Sequence, residues 1–291
     1  MFICCRAEKS PVVRYLLSNH VASIPEHIPG VIAGVFSGFS VASVVGVPIA
    51  STITQTFGWR AAFITIFVAT LALLALLFVK LPRQNRLKAG SILEQFKLFL
   101  DKRISIGCAI VFLAGASTYC FYTYLTPIFQ QELHIPDSML SLALLIFGIA
   151  AITSNVSSGQ VANKTGIRML PLIYIIQTVC LLLLPIATHN LISGGLVLFI
   201  LGVMMYLLNS PLQMHFLNIA TREHPACVNL ASSLISVFFN FGIAAGSAMG
   251  GVIVKYAGLR FVGIGGAVPG IGAIICAVIL LQIMKLGADI R

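Results

Sequence analysis

Charge is what this sequence has least of. Only 9% of its 291 residues are Asp, Glu, Lys or Arg, where a water-soluble chain carries about a quarter. Hydrophobic residues make up 58%. That balance excludes a soluble core wrapped in a polar surface and leaves a polytopic membrane protein. Its fold class is expected to be all-α, because its uncharged runs have the length of membrane helices rather than of the shorter strands of a barrel. Acidic residues are scarcest, eight against eighteen Lys and Arg, for a formal net charge of +10. Such an excess would fit nucleic acid if the basic residues formed one folded face. Here they stand between apolar runs, so no nucleic acid is expected as a partner.

Metal spacing is absent as well. Of the seven cysteines (Cys4, Cys5, Cys108, Cys120, Cys180, Cys227, Cys276), five lie within or at the ends of apolar runs. They read as small apolar residues, so neither metal nor cofactor is expected. Cys4 and Cys5 fit a lipidation pattern only weakly. His20, His27, His134, His189, His215 and His224 fall at run ends or in loops, with no nucleophile and base converging at depth, so an enzyme is not expected. His215 reads as an interfacial residue. Residues 1–30 lack an apolar run long enough to span, and Pro11, Pro25 and Pro29 interrupt any helix. Glu8, Lys9, Arg14 and Glu26 leave no clean signal-peptide core. An irregular cytoplasmic lead-in is expected there.

What is present is a series of uncharged runs. A membrane helix needs about 20 such residues, and the intervals 27–59, 61–79, 104–131, 138–163, 169–221, 224–254 and 261–284 carry no charge. The fifth is too long for one helix and is broken at Thr188-His189-Asn190 and Ser193-Gly194-Gly195. Eight transmembrane helices follow, at 31–54, 60–80, 104–129, 138–160, 169–187, 192–216, 226–254 and 260–284. With both termini cytoplasmic, fifteen of the eighteen Lys and Arg fall inside, leaving Arg60, Lys255 and Arg260 outside. The segment 81–103 reads as a basic cytoplasmic linker, with Ile92, Leu93, Phe96, Phe99 and Leu100 at the spacing of a helix lying on membrane lipid.

Within the spans the polar residues are arranged in stripes. Tyr119, Tyr122, Thr123 and Thr126 recur at helical steps on one face, for which lipid is a poor partner. A simple interfacial belt accounts for Tyr124 and for Tyr122, whereas Tyr119 lies deeper. Asn209 and Gln213 straddle Pro211. Asn229, Ser233, Ser236, Asn240 and Ser247 trace a polar line along the seventh span, and Gly242, Gly246 and Gly250 a second line that suits close helix packing. Gly34 and Gly38 do the same for the first span, where Gly46 and Pro48 then remove a side chain and a donor.

Gly46, Gly58 and Arg60 are echoed 200 residues later by Gly246, Gly258 and Arg260. A repeat six helices long is the architecture of transporters built from two parallel bundles. On Gly38, Gly46 and Pro48, the GWRAAF run at 58–63, and Gly159, Asn163, Lys164, Gly166 and Arg168, the sequence resembles the drug:proton antiporter branch of the major facilitator superfamily, near its bacterial sugar- and purine-efflux members. Val47, Ala50, Ser51 and Asn163 depart from that branch's motifs. The resemblance implies a truncated twelve-helix fold of which this chain holds helices five to twelve. Residues 31–80 would close the N-terminal bundle, 104–285 would form the C-terminal six-helix bundle, and 286–291 a cytoplasmic tail. It also implies alternating access at the cell membrane and efflux of a small neutral or amphipathic organic solute in exchange for protons. Tyr119, Tyr122, Asn209, Gln213, Ser236 and Asn240 are then expected to line the second bundle's half of the cavity. No Asp or Glu falls inside a span, so the usual carboxylate for the coupling proton would lie elsewhere. A transport-inactive fragment of such a carrier, or a membrane scaffold, are the alternatives.

Overall fold

The computed structural model describes Ile49, Ile53 and residues 57–80 and 98–289. The expected span 31–54, with Gly38, Gly46 and Pro48, therefore falls outside the described residues apart from Ile49 and Ile53, as do the lead-in and most of the 81–103 linker. The chain divides into two units, Met1–Lys88 and Ala89–Arg291.

In the first unit, helix α1 spans Trp59–Lys80. Gly58 precedes it with φ +83°, a left-handed conformation open to glycine at no steric cost. The Arg60 guanidinium lies 5.3 Å from the Trp59 ring centroid, a cation–π contact at the helix start. The apolar side chains Phe63, Ile64 and Phe67 of α1 are exposed.

Among its described residues the second unit has seven long helices: α2 (Lys102–Tyr122), α3 (Asp137–Lys164), α4 (Leu170–Ala187), α5 (Leu191–Met204), α6 (Asn209–Glu223), α7 (Val228–Tyr256) and α8 (Val262–Asp289). Among the described residues, seven helical stretches are long and apolar enough to cross a membrane, α5 and α6 counting together as one stretch of 33 residues. These correspond to seven of the eight expected spans. The protein is an all-α, multi-pass membrane protein.

Helix α2 is the centre of this unit, packed along most of its length by α7 and α8. Helix α8 also lies on α4, α5 on α3 and α4, and α6 on α3 and α7. Two buried apolar clusters result. One gathers Ile110, Val111, Tyr174, Leu212 and Phe216; the other gathers Phe121, Leu181, Leu184, Leu201 and Val262.

The seam between α2 and α7 is backbone against backbone. A Cβ added at Gly242 would stand 2.4 Å from the Phe112 carbonyl oxygen, at Gly246 2.3 Å from that of Ala116, and at Gly250 2.5 Å from that of Cys120. The four-residue spacing of these glycines thus follows one α2 face turn by turn, and a side chain at any of them would push the helices apart.

Two helices differ from expectation. The expected 104–129 helix stops at Tyr122 and continues as a short helix, Leu125–Pro127, and a π turn, Ile128–Glu132. Pro127 has no N–H, so the ladder cannot run through it, and the chain resumes with a wide bond from the Leu133 N–H to the Ile128 carbonyl, 3.1 Å. The expected 192–216 helix is interrupted by a turn at residues 205–208 and then runs on to Glu223. Pro211 forces part of this, because the carbonyl four residues before it loses its donor.

Candidate functional site

The α5–α6 interruption frees backbone donors in a segment where water is not at hand, and α3 receives them. The Tyr206 N–H donates to Ser154 Oγ at 2.8 Å and the Ser210 N–H to Ser158 Oγ at 2.8 Å. Between them Asn209 Nδ2 donates to Asn155 Oδ1 at 3.2 Å. All of these side chains except Tyr206 and Asn209 are fully enclosed, and those two are 5% exposed. A buried N–H without an acceptor is costly, so the serines make the broken helix tolerable.

The interruption also sets Tyr206 among aromatic rings from α2, α3 and α7. Tyr206 is hydrogen-bonded to Tyr119 through their side chains. The Tyr119 ring meets Tyr122 at 5.2 Å and Phe239 at 5.8 Å, both edge-on, and Tyr122 lies 5.6 Å from Phe147. Edge-on pairs at these distances place positive ring edges against negative faces. Tyr119 and Tyr122 are half-buried, so one side of the cluster is open.

The six residues expected to line a cavity divide three ways. Tyr119 and Tyr122 come together in this cluster. Asn209 and Gln213 are turned into helix contacts, Gln213 Nε2 donating to the Ser232 carbonyl on α7 at 3.2 Å. Ser236 and Asn240 are exposed, with Asn240 Nδ2 donating back to the Ser236 carbonyl at 2.7 Å. Further along the same stripe, Ser247 Oγ pairs with Thr123 Oγ1 at 2.8 Å, tying α7 to α2. Tyr206, Ser154, Asn155 and Ser158 were missed. Their signal is legible afterwards: three polar residues at i, i+1 and i+4 of an apolar helix, opposite a Tyr and an Asn that precede a proline. An apolar groove of about 520 Å³, bordered by Phe99, Phe112, Phe238 and Phe241, includes none of the six.

The loop motif falls at the α3–α4 connection. Gly159 is buried in α3, while Asn163, Lys164 and Arg168 are exposed. Gly166, at φ +56°, reverses the chain after α3 as the glycine commonly found past a helix end does.

Charges collect at the ends of the helices. Asp101 caps α2, accepting the Arg103 N–H at 2.8 Å, and the Arg103 side chain bridges Asp101 and Glu223, joining the start of α2 to the end of α6. Burial alone would raise the Asp101 carboxyl, but the bonds and charge of Arg103 outweigh it and hold the group below its ordinary value. His224 stands within reach of both carboxylates, yet Arg103 already occupies the space between them. His215, expected at an interface, is only 7% exposed; it packs against Phe216. On the connection between α7 and α8, Gly258 has φ +99°, repeating the left-handed glycine of Gly58. Arg260 two residues on donates from Nε to the Pro185 carbonyl at 3.0 Å and reaches His189.

Comparison with known proteins converges on one family. Residues 11–229 match the Major Facilitator Superfamily. The "Uncharacterized MFS-type transporter YtbD" of Bacillus subtilis is 30% identical over 243 residues, 82% of this chain and 61% of that protein. The "Probable sugar efflux transporter" of Pasteurella multocida is 28% identical over 231 residues, 79% of this chain and 56% of that one. The "Inner membrane transport protein YdhP" of Escherichia coli K12 is 25% identical over 261 residues, 89% of this chain and 65% of that one. The chain therefore spans about three fifths of the length of these relatives. This chain belongs to the Major Facilitator Superfamily.

Proposed function

We propose that the protein serves as a transmembrane carrier that exports a small neutral or amphipathic organic solute by alternating access, in exchange for protons. The observation that carries this reading is the open side of the Tyr119–Tyr122–Tyr206 cluster. The half-buried Tyr119 and Tyr122, with the exposed Ser236 and Asn240 on α7, bring polar groups for which acyl chains are no partner and a solute is. The relative named as a probable sugar efflux transporter supports export. Among the described residues the carboxylates Asp101, Glu132, Asp137, Glu223 and Asp289 stand at helix ends or in loops, so the proton would bind outside this set. The positive charges of Lys80, Lys164 and Arg168 support a cytoplasmic position for their ends of the helices, in a cell membrane.

The test is an accumulation and resistance screen in a strain lacking the corresponding exporter, complemented with this chain and supplied with sugars, purines and neutral drugs. Lower accumulation of one class, lost on collapse of the proton gradient, is the expected result. No change for any solute, in a preparation shown to be inserted, would favour a scaffold instead.

A further inference from the structure

At the junction of α2, α4 and α8 two hydroxyls have nothing to bond. Ser117 Oγ and Thr178 Oγ1 are buried without a hydrogen-bond partner, and their residues are 1% and 5% exposed. Both aim at one place on α8: a Cβ at Gly270 would lie 2.6 Å from Thr178 Oγ1 and 3.2 Å from Ser117 Oγ. Thr178 differs from six other threonines of this protein. Thr65, Thr70, Thr123, Thr153, Thr165 and Thr221 each donate to the carbonyl four residues earlier, the ordinary way for a helix hydroxyl in an apolar setting. Thr178 turns away from its own helix toward α2 and α8. Beside it, Gln177 Nε2 donates to Thr118 Oγ1 at 3.0 Å, so the four residues form a polar patch across α2 and α4.

We propose that Ser117, Thr178 and the glycine notch at Gly270 form a buried hydration site, holding one ordered water that bonds both hydroxyls. Each hydroxyl offers one donor and two acceptor positions, so a single water can receive from one and give to the other. Burial of two unmatched hydroxyls is the kind of setting in which ordered water becomes part of a fold. Because Gly270 has no side chain, the α8 backbone comes close to both oxygens, where a Cβ would press on Thr178 Oγ1. A site of this sort would let α2, α4 and α8 meet through exchangeable bonds instead of fixed side-chain packing.

The experiment has two readings on the whole chain in lipid nanodiscs. A structure at a resolution showing ordered solvent is expected to place a peak within hydrogen-bond distance of both oxygens. Ser117→Ala and Thr178→Val, both conservative in shape, are each expected to lower the melting temperature by about 2–4 °C, with the double variant losing less than the two added together, since either change strips the shared water. A dry junction with each hydroxyl rotated onto its own helix carbonyl would overturn the site. So would a double variant that melts higher than the parent, because removing two unsatisfied hydroxyls stabilises a dry core.

Discussion

At the scale of single residues, the glycines of α7 and the acid at the head of α2 make the clearest statements. A methyl group at Gly246 would sit 2.3 Å from a backbone oxygen that cannot swing aside. Gly246→Ala should therefore cost about 1–3 kcal/mol as overpacking, seen as a lower melting temperature in nanodiscs. Gly195→Ala, where nothing lies within 4 Å of the added carbon, should be neutral or raise stability by up to about 1 kcal/mol through helix propensity. Asp101 gives a pH dependence. Its folded pKa lies below the ordinary 3.8, so its contribution is present above that value and is lost as pH falls through the folded pKa. Asp101→Asn keeps the helix cap and removes the charge pairing with Arg103, which is partly exposed. The variant should be less stable at neutral pH by no more than about 1 kcal/mol, and the two melting curves should converge in acid. A gap that persists in acid would show that the side chain acts by shape alone.

At the scale of elements, the broken α5–α6 helix is the feature with most leverage. Ser154→Ala should strand the Tyr206 N–H and Ser158→Ala the Ser210 N–H, each at about 1–3 kcal/mol. Amide hydrogen exchange would register the loss locally, with faster exchange at residues 206 and 210 and little change along α4. Equal protection in variant and parent would mean that the turn finds another acceptor. The break was hard to read from sequence because a periodic apolar pattern does not record which donors a turn releases; only Pro211 marked it. The Ser154, Asn155 and Ser158 face was hidden for a related reason. Each serine is unremarkable in an apolar helix until its partner, some fifty residues away, is known. By contrast the glycine line of α7 was plain, since four-residue spacing needs only one helix to be recognised, although its partner, α2, had to be seen.

At the scale of the whole molecule, charge-free intervals located each of the seven expected spans that lie in the described residues, because lipid punishes a charge anywhere along a helix and so writes the boundaries into composition. Cavity lining is less legible: Asn209 and Gln213 bond to neighbouring helices, and no single-helix pattern distinguishes such polarity from polarity toward a solute. The helix order makes a topological prediction. Single cysteines introduced at Lys164 and His189, separated by α4 alone, should react with an impermeant reagent from opposite faces of the membrane, and labelling from one face would contradict the assignment. The bonds that α3 supplies to the broken helix also set a sequence of events in synthesis. Ser154 and Ser158 leave the ribosome 52 residues ahead of the N–H groups they accept. The acceptors are thus in the bilayer before the donors arrive, and α6 enters lipid with its exposed backbone already provided for. A permuted chain that made α3 last would have to insert the same helix with two bare N–H groups, and its yield in the membrane should suffer even if the finished fold were identical.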